Sequence, residues 1–361
     1  MTLEQIGGAV LMLLFLADIF LTVLYARAGT GIFAPHFNRS VWVFLRSLSA
    51  TLGRRRGAAL SIAGPLIVIS MLAFWALGLT VSTALMIQPE LGTTIRPSSG
   101  DSPTDFVTAL LVGGNSLSIV GSGDYSPHST GTRILFLFNS LVGASILSLV
   151  LSYLVQVYSG LRERNALALT VDLMTGGTGD AAEMLARLGP DGDFSNASSE
   201  LGNLAQSLAS TKEAHHFYPL LFYFRFKEPM YSVSRFSFVL LDLATLIDTT
   251  LDRQKYSTFV RSAAVASIRR GAVLLLETLD RNSPNGEEAP GGVAEASNAE
   301  SYSAAVEILQ RAGIETKPDS RAYAEQRSRW EPLVRRVAPT FGYGMEEVEG
   351  RRPQNRRASA A

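Results

Sequence analysis

The sequence predicts an all-α membrane protein with a second, water-soluble helical domain. Three apolar stretches are long enough to cross a bilayer. Charge density also changes along the chain: about 10% of residues up to Arg164 are charged, against about 24% of the remainder. The 361 residues are more than a single domain commonly needs. We therefore expect a lipid-embedded first half and a cytosolic second half.

Composition argues against several classes of function. The 32 basic and 32 acidic residues cancel, so no nucleic-acid partner is expected. The chain has no cysteine, which excludes disulfides and thiolate metal sites. No pattern resembles a catalytic triad or a metal cluster, and His215 and His216 lack suitably spaced partners. We predict neither an enzyme nor a cofactor.

The apolar stretches cover residues 6–26, 58–87 and 134–158. Each should be helical, because the backbone finds no water to bond with in lipid. The first ends in Ala26-Arg27-Ala28, which resembles a signal-peptide cleavage site. It has Glu4 in place of a basic leader and is longer than a signal core, so we expect a retained span.

Arginine placement predicts the orientation in the membrane. The loop between the first two spans contains six: Arg27, Arg39, Arg46, Arg54, Arg55 and Arg56. In the segment between the second and third spans, most of the charged residues are acidic. We therefore predict a plasma (inner) membrane protein with its N-terminus outside and its C-terminal region cytoplasmic. The consecutive arginines are expected to be anchors, because a voltage sensor spaces its arginines every third position within a span.

The external segment contains a half-length apolar stretch at 104–118, too short to span the bilayer and suited to a re-entrant helix. Asp101, Ser102 or Thr104 is a candidate cap, and Asp105 suits the positive end of the helix dipole. The carbonyl end would then point toward the membrane centre, which favours a cation there.

The residues after this helix predict an ion-binding backbone. Carbonyls that point the same way in succession require alternating backbone handedness, which glycine adopts without a steric penalty. Such a row of oxygens can replace the hydration shell of a cation. The predicted ion-binding residues are Ile119, Val120, Gly121, Ser122 and Gly123.

Residues 118–124 resemble the potassium-channel selectivity filter, whose family pattern is Thr-Thr-Val-Gly-Tyr-Gly-Asp. Gly143 lies 20 residues after Gly123, where the family has its inner-helix hinge glycine. The resemblance covers roughly 58–165. It implies a potassium-channel-like pore domain of outer helix, re-entrant pore helix with filter, and inner helix, and a homotetramer in the lipid bilayer that conducts K+.

Two departures from the family pattern leave selectivity open. Ile119 replaces a threonine whose hydroxyl contributes to the innermost ion site, and Ser122 replaces an aromatic residue. The pore-helix positions that would pack against that aromatic are Leu111 and Val112. Fewer ligands and a softer frame weaken discrimination between K+ and Na+. The alternatives are a non-selective cation channel and a non-conducting, membrane-anchored signalling or scaffold protein.

Further roles follow from the resemblance. Asp124 matches the acidic residue behind the filter mouth, and Asn115 is its candidate hydrogen-bond partner, with Ser118 as filter support. Gly143 is either a hinge or a close helix contact. Two faces of the inner helix are candidates for lining the pore. The resemblance implies the face with Leu147 and Leu151, whereas a polar stripe lies on a face rotated from it by about one residue. That stripe contains Ser145, Ser148, Ser152, Gln156 and Ser159.

Asp18 lies in the middle of the first span. A charged residue there costs ~2.5–3.5 kcal/mol on insertion scales, so it should face protein. We expect a structural pin, bonded to Ser70 or another polar group of a later span.

The predicted domains are an N-terminal span with a basic loop at 1–56, the pore domain at 57–164 and a cytosolic domain at 165–349. Helices are predicted at 166–173, 181–188, 198–211, 234–251, 256–279, 301–312 and 320–337.

The aromatic segment 217–226 is too short to span and is expected in the core or facing the membrane. Gly176 to Gly179 is no nucleotide fingerprint, because no strand precedes it. Residues 282–298 predict a flexible linker and 350–361 a disordered tail. A regulatory ligand or protein is expected at the cytosolic domain.

Overall fold

The computed structural model describes residues 2–25, 31–51, 53, 56–118, 121, 123–281 and 295–349. The predicted fold class is confirmed: the described chain is mostly helical, with one short two-stranded pairing. Three described helices are long and apolar enough to cross a membrane. They are Leu3–Leu24, Ala63–Glu90 and Thr130–Met174.

By internal contacts the chain forms two compact units. The first contains Met1–Val41 and Pro65–Tyr158, and the second contains Trp42–Gly64 and Ser159–Ala361. The segment 42–64 therefore packs with the helices of the second unit, although the predicted domains group it with the membrane half. The predicted boundaries remain predictions.

The elements of the first half begin with α1 at Leu3–Ile19, which continues as a π-helical turn at Phe20–Leu24. The next are α2 (Ala34–Ala50), α3 (Arg56–Ser61), α4 (Ala63–Ile87), β1 (Ile95–Pro97), α5 (Phe106–Leu117), β2 (Tyr125–Pro127) and α6 (Thr130–Met174). The predicted basic loop thus contains a helix, α2. Its Phe37 ring stacks on Phe74 of α4 at a centroid distance of 4.6 Å.

Close helix packing explains why α1 belongs to the first unit. A β-carbon on Gly78 of α4 would lie 2.1 Å from Cζ of Phe15, and one on Gly8 of α1 would lie 2.6 Å from the carbonyl oxygen of Ser82. Neither position has room for a side chain, so the two glycines let α1 and α4 approach closely. The first span is therefore an integral part of the bundle.

The inner helix is longer than predicted. The expected third span at 134–158 and the separate cytosolic helix at 166–173 are one 45-residue helix, α6. The polar sequence Arg162-Glu163-Arg164, which lies between the two predicted helices, consists of good helix formers and does not interrupt α6.

The second unit contains the remaining helices packed around one apolar core. They are α7 (Ala181–Leu188), α8 (Ala197–Phe217), α9 (Val233–Thr250), α10 (Ser257–Val260), α11 (Ala263–Arg281), α12 (Glu295–Arg311), α13 (Ser320–Thr340) and α14 (Met345–Glu349). The predicted helix at 256–279 is two helices, because the hydroxyl of Ser262 accepts the Val265 N–H at 3.3 Å and starts a new one.

Two other predictions for this half have clear outcomes. Leu220, Leu221 and Phe222 are buried, so the aromatic segment 217–226 contributes to the core. Helix α12 begins at Glu295, inside the predicted linker at 282–298. The rest of that linker, 282–294, and the predicted tail at 350–361 lie outside the described residues.

Candidate ion pathway

Helix α5 is too short to cross a bilayer. Its 12 residues give about 18 Å at 1.5 Å per residue, against ~30 Å of hydrocarbon. Asp105 caps the helix: its Oδ1 accepts the Thr108 N–H at 3.0 Å, and its Oδ2 accepts the Thr108 hydroxyl at 2.7 Å. The cap is thus Asp105, rather than Asp101, Ser102 or Thr104.

The other end of α5 turns sharply out of the helix. The Ser118 N–H donates to the Gly114 carbonyl at 3.0 Å, and its hydroxyl donates to the Asn115 carbonyl at 3.0 Å. The Gly121 N–H then donates to the Ser118 carbonyl at 3.3 Å. Ser118 therefore closes the helix and starts the segment predicted to bind ions.

Gly121 and Gly123 both have positive φ, at 92° and 61°. A β-carbon on Gly121 would meet no atom within 4 Å, so backbone torsion, and not space, requires glycine there. Ile119, Val120 and Ser122 lie outside the described residues. The ion-binding role of this segment remains a prediction.

Asn115 and Asp124, the predicted hydrogen-bond partners, both lie close to Gly123. A β-carbon on Gly123 would lie 3.4 Å from Nδ2 of Asn115. The described chain contains no hydrogen bond between Asn115 and Asp124, whose side chain is exposed. The backbone carbonyl of Asp124 is held instead, by the N–H of Ser98 at 2.9 Å.

A small antiparallel pairing frames the segment that follows the glycines. Strand β1 pairs with β2, with Arg96 opposite Ser126. The His128 N–H extends the pairing by donating to the Thr94 carbonyl at 2.8 Å. The exit from the filter segment is thereby tied to the loop that precedes α5.

Helix α5 is wedged between α4 and α6. A β-carbon on Gly113 would lie 3.1 Å from the backbone nitrogen of Ala84 in α4. On the other side, a β-carbon on Gly143 of α6 would lie 1.7 Å from the carbonyl oxygen of Leu117. Of the two roles considered for Gly143, the structure contains the close contact, and α6 is helical through this position. Hinging remains a prediction.

One contact between α5 and α6 was not predicted from the sequence. Nδ2 of Asn139, a fully buried residue of α6, donates to the Ser116 hydroxyl at 3.0 Å. Ser116 in turn donates to the Gly113 carbonyl at 2.8 Å. The available signal was the asparagine itself, since a strongly polar side chain in an apolar span usually has a partner.

Asp18 is fully buried and accepts three hydrogen bonds. Its Oδ2 accepts the indole N–H of Trp75 in α4 at 2.7 Å. Its Oδ1 accepts the backbone N–H groups of Phe33, at 2.7 Å, and Ala34, at 3.3 Å, at the start of α2. The carboxylate thus joins α1, α2 and α4, and its partner in the later span is Trp75 instead of Ser70.

Within one chain, neither candidate pore-lining face of α6 is covered. Leu147 and Leu151 are exposed, and so are Ser148 and Ser152 of the polar stripe. The Ser152 hydroxyl donates to the Ser148 carbonyl at 3.0 Å, which satisfies it within the helix. The Ser152 hydroxyl therefore needs no water-filled cavity to be satisfied.

The comparison with family models agrees with this architecture. Residues 67–159 match a model described as "Ion channel". This segment of the chain is similar to an ion-channel domain. The match runs from α4 through α5 and into α6, so it includes the half-length helix, both filter glycines and Gly143. The resemblance to the potassium-channel pore-loop family is confirmed over these residues.

The alignment with one relative is longer than the segment that matches the ion-channel model. The chain is 23% identical over 226 residues to the "Uncharacterized membrane protein YdjJ" of Bacillus subtilis (strain 168). The alignment covers 61% of this chain and 62% of the relative. No solved structure matches the chain.

The C-terminal end of α6 is fixed within the second unit. Arg164 is buried, and its Nη1 and Nη2 donate to the carbonyls of Leu221, at 3.2 Å, and Phe224, at 3.1 Å. His215 lies close by, with Nδ1 at 2.8 Å from the Thr211 carbonyl oxygen. Burial, together with the nearby Arg164 guanidinium, lowers the pKa of His215 to about 3. The imidazole is therefore neutral at physiological pH.

Proposed function

We propose that this chain is the pore-forming subunit of a tetrameric cation channel that conducts potassium. The observation that carries the proposal is the pair of positive φ angles at Gly121 and Gly123, directly after a half-length helix. A helix that ends inside the membrane presents its unsatisfied carbonyls and the negative end of its dipole to a cation. Backbone carbonyls of the glycine segment would then replace the ion's hydration shell.

Exposed apolar surface supports assembly of several copies. Only 11% of the most apolar 18-residue stretch of α6 is buried within one chain, against 39% for α4. Leu111 of α5 is 60% exposed, and Leu137 and Leu141 of α6 are similarly exposed. One filter segment cannot enclose an ion, whereas cyclic symmetry gives a closed ring around one axis. On the family resemblance, we propose that this ring is a homotetramer.

Continuity of α6 supports gating by the cytosolic domain. The helix begins in the first unit and ends in the second, so one continuous helical segment belongs to both. Arg164 attaches those turns to the segment that contains Leu221 and Phe224. We place this domain in the cytoplasm and the N-terminus outside, on the distribution of arginine.

Non-selective cation conduction is the second candidate, because Ile119 and Ser122 remove an inner-site hydroxyl and a packing ring. Recording from the purified full-length protein in planar bilayers, with K+ on one side and Na+ on the other, tests both. The proposal expects unitary cation currents with a reversal potential that favours K+. A reversal potential near zero would favour the second candidate.

A variant pair identifies the ion pathway. Gly121→Ala places an alanine at a φ of 92°, a strained conformation, without any steric clash. Gly131→Ala changes a helical glycine of the same domain with no neighbour closer than 4.0 Å. Currents should disappear in Gly121→Ala and persist in Gly131→Ala. No current in any preparation of the folded wild-type protein would contradict conduction and favour the scaffold role.

A further inference from the structure

A cavity of about 400 Å³ lies in the second unit, between the loop that follows α6 and helices α9, α12 and α13. Pockets for small molecules measure roughly 300–1,000 Å³. Phe238 and Ala304 contribute apolar surface to its wall. The charged side chains that line it are three carboxylates and one guanidinium: Asp180, Asp242, Glu349 and Arg327.

Arg327, the guanidinium among the described lining residues, is already engaged by contacts within the fold. Nε of Arg327 donates to Glu331 at 2.8 Å, and Nη1 donates to the Tyr323 hydroxyl at 2.7 Å. Its Cζ lies 5.0 Å from the centroid of the Phe238 ring. A guanidinium paired with a carboxylate and placed against an aromatic face is unsuited to holding an added anion.

The N-terminus of α7 also opens on this cavity, and such ends commonly attract anions. Here the cap residue is an acid: Oδ1 of Asp180 accepts the Ala182 N–H at 2.8 Å. The N–H groups of Asp180 and Gly179 donate to the hydroxyls of Thr178, at 3.1 Å, and Thr175, at 2.9 Å. The N–H groups of Gly179, Asp180 and Ala182 are therefore already bonded, and a carboxylate occupies the anion position, which disfavours an anionic occupant.

The cavity wall contains a carboxylate of which one oxygen accepts no hydrogen bond from the described residues. Oδ1 of Asp242 accepts the Tyr323 hydroxyl at 2.7 Å and is 3.5 Å from Nη1 of Arg327. Its Oδ2 has no hydrogen-bond partner among the described residues. Burial raises the pKa of Asp242, with Asp180 and Glu331 contributing, while Arg327 opposes the rise. A bound cation would stabilise this carboxylate.

The carboxylates do not converge on a bare metal ion. In the described part of the chain, no three side chains of histidine, cysteine, aspartate or glutamate are close enough to form a metal site. We propose that the cavity binds a small organic cation, with a primary ammonium or guanidinium end at Asp242 and an apolar part against Phe238 and Ala304.

The position of the cavity gives this ligand a route to the inner helix. Thr178, Gly179 and Asp180 line it, and α6 ends at Met174, four residues before Thr178. An occupant would contact the segment that continues directly from α6. Binding itself depends on the second unit alone, so it stands or falls separately from the proposed conduction.

Calorimetric titration of the full-length protein in detergent micelles tests the proposal with tyramine and agmatine. Both amines should bind saturably, and 4-(2-hydroxyethyl)phenol, in which a hydroxyl replaces the ammonium of tyramine, should bind at least tenfold more weakly. Asp242→Asn should weaken tyramine binding at least tenfold. The matched control is Asp248→Asn, on the same helix but paired with Arg269 and outside the cavity. It should leave the affinity unchanged.

A second variant covers the possibility that Asp242→Asn does not fold. Ala304 is an exposed residue of α12 on the cavity wall, so Ala304→Leu narrows the cavity without changing a charge. It should also weaken both amines. Failure of both amines to bind at millimolar concentration, equal binding of the neutral analogue, or saturable Ca²⁺ binding at the same carboxylates would overturn the proposal. Currents that persist without amine binding would leave the proposed function intact.

Discussion

The carbonyl oxygen of Leu117, the last residue of α5, lies 1.7 Å from the position that a β-carbon on Gly143 would occupy. The end of the half-length helix therefore rests directly on the backbone of α6. Any side chain at position 143 must displace α5, and with it the turn that leads into the filter segment. A role for Gly143 in close packing is thus required by geometry, independent of any bending.

We expect Gly143→Ala to destabilise the protein and to abolish conduction, because α5 cannot keep its position. The control is Gly131→Ala in the same helix, where the nearest atom is 4.0 Å away. Alanine is favoured over glycine in a helix by ~0.8–1.0 kcal/mol, so this control should be neutral or stabilising. Thermal unfolding in detergent compares the two. Equal stability of both variants would show that α5 is not seated on Gly143.

Asp18→Leu should lower the free energy of unfolding. It leaves the Trp75 indole N–H and the Phe33 N–H buried without their acceptor, at a cost of ~1–3 kcal/mol for each group. Trp75→Phe removes one donor only and should cost less, although it also removes packing volume. Thermal unfolding of both single variants and the double variant measures the coupling. A neutral or stabilising Asp18→Leu would mean that the acid faces lipid.

Selectivity should respond to Ile119. In the proposed tetramer, Ile119→Thr would add one candidate hydroxyl ligand per subunit, and a difference of 1.4 kcal/mol changes an ion preference tenfold. We expect a higher K+ over Na+ permeability ratio, measured from bi-ionic reversal potentials. Ser122→Tyr alone should bring no gain, because Leu111 and Val112 offer the ring no aromatic partner. An unchanged ratio in a conducting Ile119→Thr channel would show that selectivity does not depend on that site.

Mass measurement of the detergent-solubilised complex should give four chains, since each chain contributes one filter segment. The exposed Leu111 supplies a position for a cross-linking test. Cysteine introduced there, in a chain that has none of its own, should cross-link between subunits. A conducting monomer or dimer would contradict the fourfold arrangement.

Stability of the cytosolic domain should depend on pH through His215. Its pKa is about 3 in the folded chain and ~6.5 when unfolded. Between these values the unfolded state binds the extra proton. The free energy of unfolding should therefore fall as the pH is lowered through this range, by up to ~1.4 kcal/mol per pH unit. His215→Gln should flatten the dependence in chemical denaturation series, whereas His216→Gln should retain it. The same slope in both variants would contradict a buried neutral His215.

The sequence by itself determined those features that depend on local chain properties. The three apolar spans follow from the length and hydropathy that lipid demands, and they are present within a few residues of the predicted bounds, except that α6 continues to Met174. The helix before the glycines could be predicted not to span the bilayer, because its apolar stretch is short. The need for glycine at 121 and 123 follows from backbone torsion.

Only the tertiary structure decided which groups meet across the fold. Asp18 was expected to have a polar partner, but Trp75 was not predicted, since the choice depends on how α1 rotates against α4. The bond between Asn139 and Ser116 and the contact of Gly143 with Leu117 likewise depend on the angle at which α5 enters the bundle. The cavity beside Asp242 is formed by segments far apart in the chain. Local sequence fixes which backbone conformations are allowed, whereas side-chain packing selects the neighbours.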